Sequence, residues 1–254
     1  MTILENLKSA RSSLVAARRA LFDQLAKEKG RRRAAIVQQL HEVDRMLDSR
    51  FPYASQAAQD RVVDKYLGHK RNGVFVDVGG YDGLTGSNSL FFEHHRGWTG
   101  ILVEPVAAQC ELAKQRRKCT CLPYAVADSD GTADFIVVSQ GYTQMSGLAD
   151  QYDERLLKKV RSNPTHKEQT VSVETKTLAG ILNDAGLTEV DFLSLDIEGG
   201  EVAVLKSFPF KDFKIRVWAI ENNSRSNDIN AIMTAQGYTL LEFCGPDEIY
   251  VLAN

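Results

Sequence analysis

A glycine-rich turn with two acidic residues follows an apolar run in the segment Asp77-Val-Gly-Gly-Tyr-Asp-Gly83. A dinucleotide site requires the pattern G-x-G-x-x-G, because its glycines let backbone N–H groups approach a pyrophosphate. Tyr81 stands where that pattern requires its second glycine, and Asp77 and Asp82 would repel an anionic ligand. Two acids beside glycines instead suit a cationic ligand without phosphate. S-Adenosylmethionine (SAM), which carries an ammonium and a sulfonium, is therefore the predicted cofactor.

Two further acids follow apolar runs and are predicted to contact the same cofactor. Glu104 stands 25 residues after Gly79, near the spacing at which an acid accepts the ribose hydroxyls. The alternative for Glu104 is a solvated charge at the end of a strand. Asp128 follows Tyr124-Ala-Val-Ala, where it could accept the adenine amino group, although Asp-Ser-Asp-Gly is also a favourable turn.

Methyl transfer from a sulfonium requires donor and acceptor atoms held in line, and a hydroxyl acceptor must also lose its proton. Asp196 follows an apolar run and is predicted to be the base or the group that orients the acceptor. Glu198 is the next candidate, and Glu221, at the end of another apolar run, could join the acceptor pocket. Glu201 is equally well explained as a first-turn acid that the helix dipole favours.

Asp196 and Glu198 also offer the closely spaced oxygen ligands that Mg²⁺ prefers, but the sequence supplies no obvious third ligand. We therefore predict no metal. The five histidines include no HxxxH or HExxH spacing, so a zinc site is not expected either. His94 and His95 belong to the usual type of catalytic base, but at least one is expected on a helix surface.

These residues require a sheet whose strand ends meet, and the order of apolar runs predicts one. From residue 51 onward strands alternate with helices, and several strands are apolar on both faces, which favours an α/β, doubly wound, mostly parallel sheet. Only Gly245-Pro-Asp-Glu248 lies around the last junction, so the final two strands should pair antiparallel. The predicted strands are 74–79, 100–104, 121–126, 133–138, 170–175, 191–195, 215–221, 238–243 and 248–252. The predicted helices are 55–69, 87–95, 106–117, 177–185, 199–207 and 227–236.

The segment 139–169 is polar and irregular, and it is too long for an ordinary connection. Segments of this length inside a compact domain are often lids over a site. We interpret this one, which includes Ser146, as a lid on the acceptor side.

Residues 1–50 are predicted to form a helical hairpin or short coiled coil, separate from a second domain at 51–254. Leu7, Leu14 and Leu21 recur every seven residues, and Gly30 interrupts the pattern. Such a stripe must bury against its partner helix, the body of the chain or a second subunit. Self-association into a homo-oligomer is the favoured functional interpretation, with packing on the body as the alternative.

Composition and charge argue against several classes of protein. The formal charge is −2, but eleven Lys/Arg and six Asp/Glu in the first 50 residues leave a body of net −7. Such a body would repel nucleic acid. We find no signal peptide, and no run reaches the roughly 18 apolar residues of a membrane span. Four cysteines without a CxxC pair are typical of reduced thiols, so a cytoplasmic location is expected.

An ordered set of motifs from about Ser55 to Val251 resembles the FkbM-type family of SAM-dependent O-methyltransferases. The set comprises Ser55-Gln-Ala-Ala-Gln-Asp60, Val76-Asp-Val-Gly-Gly-Tyr-Asp-Gly83, Gly86-Ser-Asn88, Phe91-Phe-Glu93, Gly97-Trp98, Val103-Glu-Pro105, Ala127-Asp-Ser-Asp-Gly131, Thr175-Lys-Thr-Leu178, Val190-Asp-Phe-Leu-Ser-Leu-Asp-Ile-Glu-Gly-Gly-Glu201 and Val204-Leu. The resemblance implies a class I methyltransferase (Rossmann-like) fold, a seven-stranded sheet with its last strand antiparallel. It also implies methylation of hydroxyl groups, commonly on sugars of surface glycans or on natural products. The N-terminal arm lies outside the resemblance.

The residues and the resemblance together define the predicted site. The expected catalytic residues are Asp196, Glu198 and Glu221. The expected cofactor-binding residues are Gln56, Asp77, Gly79, Asp82, Gly83, Asn88, Glu104, Pro105, Ala127, Asp128 and Asp196. Ser55, Gln56, Gln59 and Asp60 match the family's leading motif and could close over SAM or simply cap a helix. Two other functions remain open, an NAD-linked oxidoreductase and a non-catalytic SAM-binding or scaffold protein.

Overall fold

Apolar runs form a central seven-stranded sheet in the computed structural model, which describes residues 2–253. The strands, numbered along the chain, are β1 Val74–Val78, β2 Thr99–Val103, β3 Thr120–Leu122, β4 Ala125–Ala127, β5 Gly131–Gln140, β6 Gly147–Leu148, β7 Lys167–Thr177, β8 Glu189–Leu195, β9 Lys214–Glu221, β10 Tyr238–Cys244 and β11 Asp247–Leu252. The central sheet has the order β10-β11-β9-β8-β1-β2-β3.

The strand directions confirm the expected class I methyltransferase topology. β11 runs antiparallel to both of its neighbours, β9 and β10, whereas the other neighbouring strands pair in parallel. From β1 the chain builds β2 and β3 on one side, and later β8 and β9 on the other. A crevice therefore opens at the carboxyl ends of β1 and β8, where the strand order reverses.

Four strands form a second sheet that the sequence interpretation did not separate from the first. Its order is β4-β7-β5-β6, and the long strands β5 and β7 pair antiparallel. The predicted strands 133–138 and 170–175 thus lie outside the central sheet, and the predicted strand 121–126 is divided between β3 and β4. Alternating polarity in Thr170-Val-Ser-Val-Glu174 is typical of an antiparallel strand with one solvated face.

The predicted helices are present, mostly with shorter bounds, and residues 154–161 form one more helix that was not predicted. The α-helices are α1 Ile3–Lys27, α2 Arg33–Leu47, α3 Gln59–Tyr66, α4 Ala107–Arg116, α5 Glu154–Arg161, α6 Leu178–Asp184, α7 Glu201–Ser207 and α8 Asp228–Ala235. Within the predicted helix 87–95, residues 87–89 are not helical, and the second half belongs to a π-helix, Phe92–Arg96. α3 begins only at Gln59, because the Asp60 carboxylate accepts the N–H groups of Ala54 and Ser55 and holds a turn before it.

Both faces of β8 are buried, as its apolar sequence predicts. Phe192 packs with Phe75 and Phe92 on one face of the sheet. Leu193, the next residue, packs with Trp218 on the other face. Helices therefore cover both sides of the strand that carries the candidate catalytic residues at its carboxyl end, which keeps this end rigid.

The N-terminal arm is a helical hairpin, α1 and α2, and α2 packs on the chain's own body. Val37 and Leu40 are buried, and Arg33 forms an ion pair with Glu242 of β10. α1 lies against α2 and has no buried residue, so side chains such as Leu7 are exposed. Self-association through α1 stays a prediction. Among residues 2–253, no helix combines the length and the apolarity that a membrane crossing requires.

Candidate active site

A cavity lies at the carboxyl ends of β1, β2, β8 and β9. Its empty volume is about 1100 Å³, counted out to its open mouth. The turn before β11 also lines it, because an antiparallel strand begins at the edge where its parallel neighbours end. Residues 144–146 of the predicted lid close over the cavity from the second sheet.

Gly79 brings the ends of β1 and β8 into contact. Its φ is +82°, and a Cβ at this position would lie 1.8 Å from the backbone oxygen of Asp196. The Gly79 N–H also donates to the Val103 carbonyl of β2, at 2.9 Å. Only glycine allows this close approach, so its position sets the spacing between the three strand ends.

The Glu104 carboxylate is held rigidly at the end of β2. Its Oε2 accepts the Tyr81 N–H at 3.0 Å, and its Oε1 accepts the Val106 N–H at 2.8 Å. Burial raises the pKa of Glu104 to about 7. Each carboxylate oxygen retains capacity for another hydrogen bond, so Glu104 can accept hydroxyl groups of a ligand.

Asp77 and Asp82 do not line the cavity, which corrects the argument that they face the ligand. Asp77 accepts hydrogen bonds from Ser87 and Ser89, and the positive charge of Arg117 lies nearby. Asp82 accepts the N–H groups of Leu84 and Thr85 and pairs with Arg116. Both acids therefore hold the glycine loop through contacts outside the cavity lining.

Three other predicted cofactor residues also lie outside the cavity lining. A Cβ on Gly83 would meet the side chain of Arg117 at 2.8 Å, so this glycine allows α4 to pack against the loop. Ala127 is buried in β4, and Asp128 is in the turn that follows it. The predicted residues that do line the cavity are Gln56, Gly79, Asn88, Glu104, Pro105, Asp196, Glu198 and Glu221.

Three predicted catalytic acids meet at the ends of β8 and β9. One carboxylate oxygen from each of Asp196, Glu198 and Glu221 lies within 4.8 Å of the others. Burial raises the pKa of Asp196 to about 7. Burial also raises the pKa of Glu221, and the charges of Asp196 and Glu198 raise it further. A carboxylate whose pKa is near neutrality is well suited to take a proton from an acceptor hydroxyl.

The segment 139–169 contacts the glycine loop, and its interior is more ordered than predicted. It contains β6 and α5. The Tyr81 hydroxyl bonds to Thr143 Oγ1 at 2.9 Å, and Gln144 Nε2 donates to the Thr85 carbonyl at 3.2 Å. The Ser146 hydroxyl accepts the Val138 N–H of β5 and donates to the Thr143 carbonyl. These contacts place part of the segment beside the cavity, where residues 144–146 line it, and its role as a lid stays a prediction.

Comparison with known proteins identifies the family. The sequence model of the methyltransferase FkbM domain matches residues 77–240. The chain belongs to the FkbM methyltransferase family.

Several solved structures resemble this FkbM-family chain at low identity. The FkbM methyltransferase from Methylobacillus flagellatus is 14% identical, with a TM-score of 0.46. The match covers 91% of this chain but only 58% of that one, so this chain spans less than two thirds of that protein's length. A TehB-like SAM-dependent methyltransferase from Corynebacterium glutamicum is 11% identical with a TM-score of 0.38, and the match covers 77% of this chain and 85% of that one. A SAM-dependent methyltransferase from Aquifex aeolicus is 11% identical with a TM-score of 0.35, and the match covers 83% of this chain and 95% of that one. Among curated proteins, no sequence matches the chain.

Asp247 is a residue of the FkbM-family site that sequence reasoning missed. It is buried, lines the cavity and accepts a hydrogen bond from Gln59 Nε2 at 3.0 Å. Burial, with a contribution from the charge of Asp196, raises the pKa of Asp247 to about 8. The signal lay in the antiparallel last strand, since an acid at its first residue must reach the edge where Asp196 and Glu221 end parallel strands.

The histidines and Glu201 have structural places in the FkbM-family domain. His94 and His95 are in the π-helix, outside the cavity lining, and His95 stacks on Phe91. Glu201 accepts the N–H groups of Ile197 and Gly199, so it holds the turn that carries Glu198. The first-turn interpretation of Glu201 therefore describes its contacts better than a role in the acceptor pocket.

The cavity of the FkbM-family domain is strongly acidic. The carboxylates that line it are Glu104, Asp196, Glu198, Glu221 and Asp247. No Lys, Arg or His side chain is among its lining residues within the described part of the chain. Five acids without a basic partner favour a cationic ligand and disfavour an anionic one, because low-dielectric surroundings strengthen both effects.

Proposed function

We propose that the protein is a SAM-dependent O-methyltransferase that acts on a hydroxyl group of a small molecule or glycan, with a sugar hydroxyl favoured. The observation that carries the proposal is the cavity between β1 and β8, which has five carboxylates and no basic side chain in its lining. An NAD-linked oxidoreductase would have to place a pyrophosphate against these acids. Membership of the FkbM family supports methyl transfer in general.

The cavity residues fit SAM in a consistent order across the sheet. Glu104, at the end of β2, is suited to the ribose hydroxyls because both of its oxygens are already oriented by N–H donors. The turn at Gly79 lines the cavity, and Asp196 lies one strand further on. The ammonium and sulfonium groups of the ligand would then offset part of the acidic charge.

When bound, SAM supplies an electrophilic methyl group on a sulfonium, whose departure leaves a neutral thioether. Asp196 takes the hydroxyl proton of the acceptor or orients its oxygen, and Glu198 and Glu221 complete the acceptor side. Holding the acceptor oxygen in line at near-contact distance contributes several kcal/mol, roughly, to lowering the barrier. Proton removal by a positioned carboxylate contributes roughly 10²- to 10⁴-fold more.

A neutral, polyhydroxylated acceptor suits this pocket. Carboxylates accept hydrogen bonds from several hydroxyl groups at once, which is the arrangement that a sugar ring offers. Anionic acceptors such as sugar phosphates would be repelled by the uncompensated acids. A cytoplasmic setting remains part of the proposal, and the four cysteines, all of them free thiols in the structure, are compatible with it.

Calorimetric titration with SAM and with NAD separates the two cofactor classes. We expect SAM to bind one site per chain and NAD to give no heat of binding. Glu104→Gln should weaken SAM binding, whereas Asp212→Asn, an exposed acid before β9, should leave it unchanged. Binding of NAD without binding of SAM would overturn the proposal.

A second experiment identifies the acceptor and tests catalysis. Carbohydrate and small-molecule extracts are incubated with the protein and SAM, and mass spectrometry searches for products heavier by one methylene. We expect new O-methyl products that depend on SAM. SAM binding without any product from either class of extract would favour the non-catalytic alternative.

A further inference from the structure

Asp196, Glu198 and Glu221 have a spacing that one cation can bridge. Asp196 follows β8, Glu198 lies in the next turn and Glu221 ends β9, so three separate backbone positions direct their carboxylates to one point. One oxygen from each lies within 4.8 Å of the others. Two ligands of one ion are at most twice the metal–oxygen distance apart, about 4.2 Å for Mg²⁺ and about 5 Å for Ca²⁺. The cluster is therefore close to the size of one coordination sphere.

Unpartnered oxygen atoms in this place point independently to a ligand. Glu221 is only 4% exposed, yet its Oε2 has no hydrogen-bond partner among the described residues. Asn88, which lines the same cavity and is 8% exposed, also has an unpartnered Oδ1. A buried carboxylate oxygen without a donor costs several kcal/mol, roughly, unless the group is protonated or a ligand compensates it. A carboxylate and an amide oxygen are the donor types that hard divalent cations take.

The charge around this cluster favours a cation, rather than another hydrogen-bond donor side chain, as the partner of its carboxylates. Glu198 has Asn223 as a neutral donor, and Asp247 has Gln59. The ion pair between Arg31 and Glu248 at this edge uses its arginine outside the cavity lining. SAM would bring a net charge of only about +1, from two positive groups and one carboxylate. Most of the acidic charge at the end of β9 would remain uncompensated.

We propose that Asp196, Glu198 and Glu221 bind one divalent cation with a preference for oxygen ligands, such as Mg²⁺, Mn²⁺ or Ca²⁺. Sequence analysis lacked the third ligand, and the pairing of β8 with β9 supplies it as Glu221. Glu198 reaches the cluster because its backbone adopts a left-handed conformation, with φ of +62°.

The role of this cation, unlike its binding, rests on the proposed O-methyltransferase function. A cation here would polarise the acceptor hydroxyl and make its proton easier to remove. The acceptor oxygen then forms a bond to the methyl carbon while the sulfur–methyl bond breaks. The electron pair of the broken bond stays on sulfur, which becomes a neutral thioether. The hydroxyl proton passes to a nearby carboxylate such as Asp247 and then to water.

The test is a titration of the metal-free full-length chain with Mn²⁺ alone, followed by electron paramagnetic resonance. Bound Mn²⁺ loses the sharp spectrum of the free ion, so the number of sites is counted directly. We expect one site per chain, from which Mg²⁺ or Ca²⁺ displaces Mn²⁺. Glu221→Gln and Glu198→Gln should each weaken Mn²⁺ binding by about tenfold or more, and Asp212→Asn should not. Circular dichroism confirms that each variant is folded.

The outcomes distinguish the cation from the methyltransferase proposal. If Mn²⁺ fails to bind, or binds equally to the wild type and to folded Glu221→Gln and Glu198→Gln variants, the cation inference is wrong. Calorimetry with SAM in EDTA then tests the proposed function on its own. If the chain binds SAM but not Mn²⁺, the proposed function stands and the cation site is wrong. If the chain binds Mn²⁺ but not SAM, the cation site stands and the proposed function is wrong. If Glu221→Gln does not fold, Glu198→Gln alone decides.

Discussion

Arg31, in the turn between the two N-terminal helices, forms an ion pair with Glu248 of the last strand. Its guanidinium also donates to the backbone oxygens of Pro246 and Asn222, so it spans the ends of β9 and β11. Pro246 lines the cavity next to Asp247. The arm therefore does more than pack on the domain surface, because it fixes one edge of the candidate site.

Replacing Arg31 by alanine should destabilise the fold and disturb this edge. Glu248 is 6% exposed, and without the arginine its carboxylate keeps only the neutral donors Asn222 and Tyr250. We expect the free energy of unfolding to fall by about 1–3 kcal/mol, measured by urea denaturation at pH 7. Arg32→Ala, at the exposed neighbouring position, should change it by less than about 0.5 kcal/mol. Equal effects of the two substitutions would show that the ion pair has no specific role.

Gly79→Ala tests the close approach of β1 and β8. The added Cβ would meet the backbone oxygen of Asp196 at 1.8 Å, and the backbone φ of +82° is unfavourable for alanine. We expect a loss of about 3 kcal/mol or more in stability, together with weaker SAM binding in calorimetry. The matched control is Gly186→Ala, which has a similar φ of +66° but nothing within 4 Å of the new Cβ. That control should lose only about 1–2 kcal/mol, and a comparable loss in both variants would contradict the steric argument.

Asp196→Ala should separate catalysis from cofactor binding. Asp196 faces the acceptor side beside Glu198 and Glu221, so we expect its loss to lower the methyl-transfer rate by about 10²-fold or more. SAM affinity should remain within about threefold, a difference below about 0.7 kcal/mol. The rate is measured with the acceptor found by the mass search, and Asp212→Ala is the control. A loss of affinity without an effect on the saturated rate would reassign Asp196 to cofactor binding.

His41 makes the docking of the arm sensitive to acid. It is 1% exposed in α2, and burial lowers its pKa from 6.5 to about 4. The positive charges of Arg61 and Arg45 lower the pKa further, whereas the negative charge of Asp44 opposes the shift. The unfolded chain takes up this proton more readily than the folded chain does. Neutral His41 therefore costs no stability above pH 6.5, and the free energy of unfolding falls as the pH drops towards 4.

We therefore expect the wild type to lose up to about 3 kcal/mol through this group between those pH values. His41→Leu should flatten that part of the stability profile, measured by urea denaturation at several pH values. An identical slope in His41→Leu and the wild type would contradict the assignment.

Sequence reasoning located the acids of the site where they end apolar runs. Glu104 and Asp196 each follow a strand of the central sheet and Glu221 ends one, and neighbouring parallel strands end at one edge. Their proximity therefore followed from strand order alone. The same reasoning missed Asp247, because it treated the residues before the last strand as a turn and did not carry the antiparallel direction through to their position.

The roles of Asp77 and Asp82 show where this reasoning stopped. Asp77 stands near the end of the predicted strand 74–79 and Asp82 in the loop after it, but Arg117 and Arg116 lie beside them. No spacing rule connects residues that are more than 30 positions apart. Whether an acid faces a ligand or a buried arginine depends on which helix packs behind the loop.

The sequence by itself determined the alternation of strands and helices, the antiparallel end of the sheet and the acids at its carboxyl edge. These features depend on local periodicity and on the lengths of connections, which are written in neighbouring residues. Only the tertiary structure decided that β5 and β7 form a separate sheet, that α2 docks on β10, and that Glu221 completes a cluster with Asp196 and Glu198. Those outcomes depend on packing between distant segments, where burial and charge pairing, not spacing, select the partner.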